Sequence, residues 1–111
     1  MTIEWGKSKK VSFEGPYSVT KWDPPRKAAI YIIMMPGKDE GYYRLIYVGE
    51  TENLSDRGFY KSHQAYNCWI KEAGNESKLF IGIHAMPNST KEDRLKIEQQ
   101  LISEYSPACN K

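Results

Sequence analysis

The chain is short of the residues that staple or metallate small proteins. It has two cysteines, Cys68 and Cys109, and two histidines, His63 and His84. Two cysteines are too few for a disulfide scaffold, and their spacing to the histidines fits no zinc site. Free thiols in a reducing compartment are the expected state. No apolar run approaches the ~18 residues of a membrane span. The amino terminus, MTIEWGKSKK, lacks an apolar leader core. A soluble cytoplasmic protein with no membrane partner is therefore expected. A large charge excess is also missing: the net charge is +2. That permits a nucleic-acid partner without demanding one, because a local patch says more than a bulk excess. Repeats, linkers and low-complexity stretches are absent. With 111 residues there is no room for a second core.

Aromatic residues are plentiful by contrast: eight tyrosines and three tryptophans, which suit a core or a stacking surface. Residues 1–27 mix Lys, Gly and Pro with isolated aromatics. They read as an extension that packs loosely on the domain, with at most one short strand at 10–13. Trp5 and Trp22 are its anchors, and Lys7, Lys9 and Lys10 form a small basic cluster. Paired prolines in KWDPPR stop any regular element.

The domain proper is expected over residues 28–111. Residues 28–35 (AAIYIIMM) and 42–49 (YYRLIYVG) are apolar, β-branched runs joined by PGKDEG, a turn of hairpin length. Both runs are apolar on both faces, so both faces are expected to be covered. Asn53 or Ser55 could cap a helix running through Arg57. Gly58 interrupts it, which predicts a break or two short helices up to about Ala73, ended by Gly74-Asn75. Residues 78–86 (KLFIGIHAM) form a third strand. Ser89 or Thr90 then caps a final helix, Lys91–Tyr105. The fold class predicted is α+β: a small three-stranded antiparallel sheet flanked by helices.

The final helix carries an anomaly. Leu95, Ile102 and Tyr105, with Leu101 beside them, mark a buried stripe at helical spacing. Glu98 falls within it. An unpaired buried carboxylate costs several kcal/mol, so either a cation meets Glu98 or the helix is rotated away from this stripe.

Three further marks stand in order: Ala29-Ile30-Tyr31 in the first strand, Tyr47-Val48-Gly49 ending the second, and Arg57 behind GETENLSD. With Glu98-x-x-Leu101-Ile102-x-x-Tyr105-x-Pro107-x-x-Asn110, the set resembles the GIY-YIG nuclease superfamily over about residues 28–110. It is especially similar to the incision domain of the bacterial excision-repair nuclease. No single tripeptide is specific; the ordered set of four is. The resemblance implies hydrolysis of a nucleic-acid phosphodiester with one divalent metal, Mg²⁺ or Mn²⁺. It implies Tyr31 and Tyr47 as the motif tyrosines, Arg57 as the motif arginine, Glu98 as the metal ligand and Asn110 as the terminal asparagine.

Those residue types suit the chemistry. Arg57 can meet the equatorial phosphoryl oxygens with a bidentate fork. A hard cation keeps several waters and often needs only one protein carboxylate. A tyrosine can act as base if its phenolate, from a reference pKa near ~10, becomes accessible. Many relatives carry His or Tyr one helical turn after the arginine. Here that position is Lys61, so Lys61 and His63 are equal candidates for an assisting role. Alanine at 29 also departs from the motif glycine, and the hairpin loop is long for the family.

Blander readings stand beside these. Alone, Tyr31 and Tyr47 are ordinary strand residues, Arg57 a surface arginine, and Glu98 a salt-bridge partner. His84 is read as structural. Asn110 either ties down the carboxy terminus or positions a tyrosine. Lys7, Lys9 and Lys10 are a solvated tail or a phosphate-binding arm. The expected function is a metal-dependent DNA endonuclease, with DNA a better partner than RNA. The alternative is a nucleic-acid-binding module of the same fold with little or no catalysis. No second DNA-binding domain is expected in these 111 residues, so specificity would come from the extension, a dimer or a separate protein partner.

Overall fold

The computed structural model describes residues 1–23, 26–54 and 59–110, with residues 59 and 60 described by backbone alone. Five strands are arranged as an antiparallel half-barrel: β1 (Thr2–Trp5), β2 (Val11–Ser18), β3 (Ala29–Pro36), β4 (Tyr43–Thr51) and β5 (Phe80–Ala85), in the order β1-β2-β5-β3-β4. A one-turn helix α1 (Phe59–Ser62) and α2 (Tyr66–Ala73) lie between β4 and β5, and α3 (Lys91–Tyr105) follows β5. No helix among the described residues is long and apolar enough to cross a membrane.

The expected three-stranded sheet is therefore wrong in extent. Its three strands are present as the block β5-β3-β4, with β3 at the centre. The amino-terminal segment is no loosely packed extension. It adds β2 against β5 and β1 against β2. The alternation that builds it, Ile3/Trp5 and Val11/Phe13, turns apolar side chains toward the core on every second residue. Gly15-Pro16 hides the pattern in the sequence. The β2–β5 register shifts between Glu14 and Tyr17, which lets a residue without an N–H stand in a strand.

Both faces of β3 are covered, as its unbroken apolar run implies. Ala29, Tyr31 and Ile33 face one cluster with Trp22, Ile81 and Trp69 of α2. Ile30, Ile32 and Met34 face the other with Phe13, Val48 and Leu101 of α3. Burying each such side chain contributes ~1.5–3 kcal/mol. Gly74, with φ of 95°, ends α2. Thr90, not Ser89, caps α3: its hydroxyl accepts from the Asp93 N–H at 3.1 Å and its own N–H donates to the Asp93 carboxylate at 3.2 Å. The inward face of α3 is turned from the expected one. Arg94 and Leu101 are its buried residues, while Leu95, Glu98, Ile102 and Tyr105 are half-buried. The cysteines also differ from expectation: Cys68 on α2 and Cys109 beyond α3 are joined as a disulfide.

Candidate active site

Two features of β4 assemble the tyrosines. Regular alternation would send Tyr47 to the α3 face, beside Leu45. A bulge, where the β3–β4 register shifts between Ile33 and Met34, adds one residue to β4 and turns Tyr47 onto the α2 face with Tyr31. Gly49 then pairs with Tyr31 across the ladder. A Cβ at 49 would run into the Tyr31 ring, within 2.8 Å of Cε1 and closer to Cζ and the hydroxyl. The glycine is required by this close approach.

The two rings lie 6.1 Å apart between centroids, and each hydroxyl is close enough to perturb the other's proton. His63, from the turn between α1 and α2, closes the group: its Nε2 is 2.9 Å from the Tyr31 hydroxyl. The Ala65 N–H donates to His63 Nδ1 at 3.0 Å. Nδ1 is thus an acceptor, and the neutral ring carries its proton on Nε2, pointed at Tyr31. Trp69, buried below, packs against the imidazole with centroids 4.6 Å apart. Burial lowers the His63 pKa, which keeps the ring neutral near pH 7.

The tyrosines differ in a way that decides their order. Tyr31 is 5% exposed. Its pKa is pushed far up by burial first, then by Tyr47 and the Glu98 and Glu50 carboxylates. Tyr47 is half-buried, and burial raises it too, but the hydrogen bond from Tyr31 pulls it down. Of the pair, Tyr47 is the hydroxyl that ionises first. His63 donates to Tyr31, and the Tyr31 ring lies next to Tyr47. Beside Tyr47 a cavity of about 450 Å³ opens between Gln64, Cys68 and Asn110.

Glu98 comes from the other side of the sheet, along the outer edge of β4. Burial and the Glu50 carboxylate raise its pKa; Lys91 and the Glu50 backbone N–H oppose them. Two residues away on the same edge, Asn110 imitates a peptide. Its carbonyl accepts from the Val48 N–H and its amide donates to the Val48 carbonyl, both at 2.8 Å. Glu98 and Asn110 thus cover an edge that would otherwise be open to pairing. Asn110 ties the carboxy terminus to the strand beside Tyr47 and Gly49; its described bonds go to backbone, not to a tyrosine hydroxyl.

The cation that the glutamate anomaly called for belongs to Glu50. Arg94, 1% exposed, donates from Nε to the Glu50 carboxylate at 3.2 Å, and from Nη1 to Ser89 at the carbonyl (3.0 Å) and hydroxyl (2.9 Å). Glu98 keeps a half-buried carboxylate facing a second carboxylate. That arrangement fits a hard divalent ion, which favours oxygen ligands and makes up its shell with water. Among the described residues no group of three or more His, Cys, Asp or Glu side chains gathers, at this pair or elsewhere.

The structure thus brings together Tyr31, Tyr47 and His63, with Glu98 near enough to shift both tyrosines. Lys61 stands exposed on α1. Arg57 lies outside the described residues. Glu50 and Arg94 were missed by sequence reasoning. Glu50 directly follows Tyr47-Val48-Gly49, and Arg94 stands seven residues before Leu101, two helical turns along the same face. Comparison with protein families, with curated proteins and with solved structures finds no match to this chain.

Proposed function

We propose that this chain is a metal-dependent endonuclease that hydrolyses DNA phosphodiester bonds. The observation that carries the reading is the neighbouring Tyr31–Tyr47 pair, with His63 bonded to Tyr31 and the Glu98 carboxylate near enough to shift both hydroxyls. Tyr47 is the proposed base. Its phenolate takes a proton from water as the water oxygen bonds to phosphorus. The bond to the 3′ oxygen breaks, and that oxygen leaves with the electron pair and is protonated by solvent. The His63 N–H donates to the Tyr31 hydroxyl, and Tyr31, beside Tyr47, would support its phenolate. Arg57 is proposed to hold the scissile phosphate, on its motif position alone. Glu98, aided by Glu50, would hold Mg²⁺ or Mn²⁺, which would stabilise charge on the leaving 3′ oxygen. Lys61 would act from α1 on the substrate phosphate rather than as a base.

One observation favours the second reading, a nucleic-acid-binding module without catalysis: burial raises both tyrosines above their ordinary range. Cleavage at neutral pH then depends on a cation at the site. The resemblance to GIY-YIG nucleases stays a proposal on its motif residues. A cytoplasmic location is likewise proposed. Sequence or structure specificity would come from a dimer or a protein partner.

The test is cleavage of supercoiled plasmid and branched DNA in Mg²⁺ or Mn²⁺ and in EDTA, for wild type and Tyr47→Phe. Metal-dependent nicking lost in the variant supports the reading. Salt-sensitive DNA binding with no cleavage of either substrate moves the protein to the second reading.

A further inference from the structure

The β1–β2 turn is fixed to α3 more firmly than a surface hairpin needs. Gly6 N–H donates to the Tyr105 hydroxyl at 2.8 Å. The Glu104 carboxylate accepts from Lys7 N–H at 2.8 Å, Ser8 N–H at 3.0 Å and the Ser8 hydroxyl at 2.6 Å. Gln100 donates to the Lys9 carbonyl at 2.9 Å and to Glu104 at 3.1 Å. These bonds bind the turn through its backbone and the Ser8 hydroxyl. They leave the side chains of Lys9 and Lys10 exposed. Across the gap, exposed Lys96 rises from α3, and His84 of β5 holds the floor with Nδ1 donating to the Ser12 carbonyl at 2.9 Å. Together they line a groove of about 270 Å³.

The groove lysines are not tied up in ion pairs: among the described residues the pairs are Arg44–Glu72 and Arg94–Glu50, and none involves Lys9, Lys10 or Lys96. Glu104 keeps its negative charge but directs it at backbone and serine donors of the turn. Asp93 directs its own at the Thr90 cap. Lys7 lies over the Tyr105 ring, 5.3 Å from its centroid, at the same end of the turn. Lysines presented from a pinned turn form a preorganised cationic surface, which a polyanion can occupy at little ordering cost.

We propose that the groove between the β1–β2 turn and α3 docks the phosphate backbone of duplex DNA, through Lys9, Lys10 and Lys96. This assignment rests on the proposed action on DNA. The occupant is a duplex, not a single strand, because the groove offers lysines and no exposed Phe, Tyr or Trp on which bases could stack. The surface lies on the flank of α3 away from Glu98. It would hold DNA across the helix rather than take part in cleavage.

The test uses the full chain and a short labelled duplex in EDTA, with binding followed by anisotropy over a salt series. Lys9→Ala/Lys10→Ala/Lys96→Ala is compared with an equal charge change elsewhere, Lys21→Ala/Lys38→Ala/Lys71→Ala. Thermal melting checks that each variant folds. Each lost phosphate contact reduces the slope of log affinity against log salt by ~0.9. The groove variant is expected to bind about tenfold more weakly, with a slope smaller by ~2–3, and the control to stay within about twofold. Equal losses in both variants, no salt-sensitive duplex binding by wild type, or tighter binding of single-stranded DNA or of RNA would overturn the assignment. Plasmid nicking is read separately. A selective binding loss beside a wild type that never nicks keeps the groove and removes the nuclease reading. Nicking by wild type with no difference between the two variants removes the groove alone.

Discussion

Tyr47 differs from Tyr31 by one bulged residue in β4 and by its exposure, and those differences assign it the proton. Tyr47→Phe is expected to lower the cleavage rate by ~10²–10⁴, the usual range for loss of a general base. Tyr31→Phe, which removes a supporting donor, should cost less. The Tyr47 pKa is raised by burial, so its phenolate fraction grows with pH through the neutral and alkaline range. A pH–rate profile of wild type should climb across that range, and the Tyr47→Phe profile should be flat. His63 was legible only as one of two candidates. Its selection over Lys61 comes from the turn that brings the Ala65 N–H to Nδ1, a tertiary detail with no mark in the local pattern. Arg94 drew no reading from the sequence, yet it is buried because Glu50 and the Ser89 carbonyl and hydroxyl satisfy it. Arg94→Ala would leave the Glu50 carboxylate unpaired beside Glu98. A loss of ~3–5 kcal/mol in urea unfolding is expected.

At the scale of elements, the strands easiest to read were those apolar on both faces. β3 needs no alternation to announce it, and the bounds of α3 follow from its cap and its periodicity. β1 escaped, and β2 was expected only as a short strand at 10–13; the first is short, the second is broken by Gly15-Pro16, and both carry Glu with Thr or Ser on one face. Their attachment depends on residues almost a chain length away, above all Glu104. That carboxylate is held near pKa about 2 by backbone N–H and serine donors. A depressed folded pKa means that its contribution is complete above the ordinary glutamate range. It is lost as pH falls through that range to about 2. Protection of the Lys7 and Ser8 amides, as exchange relative to the intrinsic rate at each pH, should therefore fall in acid. In Glu104→Gln it should be low already at neutral pH. Protection that is high and pH-insensitive in both proteins would contradict this role for the turn.

At the scale of the molecule, the Cys68–Cys109 bridge joins α2, which carries Trp69 beneath His63, to the segment whose Asn110 covers Val48. Cysteine count alone could not reveal it, because pairing depends on where the end of the chain returns. Closing a loop of sequence separation 41 contributes about 4 kcal/mol by the chain-entropy relation. The urea midpoint should fall when a reductant is added, and Cys68→Ser/Cys109→Ser should be insensitive to reductant. Equal midpoints with and without reductant would show that the bridge does not stabilise the fold.

Nicking of supercoiled plasmid by wild type and Glu98→Gln, in Mg²⁺, Mn²⁺ and EDTA, bears most directly on the proposed role of Glu98. Melting of each protein with and without the ion belongs in the same experiment. The Glu98 pKa is raised by burial and by Glu50, so its charged form costs stability, and that cost appears as pH rises through the folded pKa. Glu98→Gln should thus melt slightly above the ion-free wild type at neutral pH, an increment kept small by solvent screening. The ion should raise the melting temperature of wild type only. Nicking should require the ion and fall at least ~100-fold in the variant, the scale of losing a charge-stabilising group. Nicking that persists in EDTA, or a Glu98→Gln protein that cuts as fast as wild type, would contradict a metal-bearing role for Glu98.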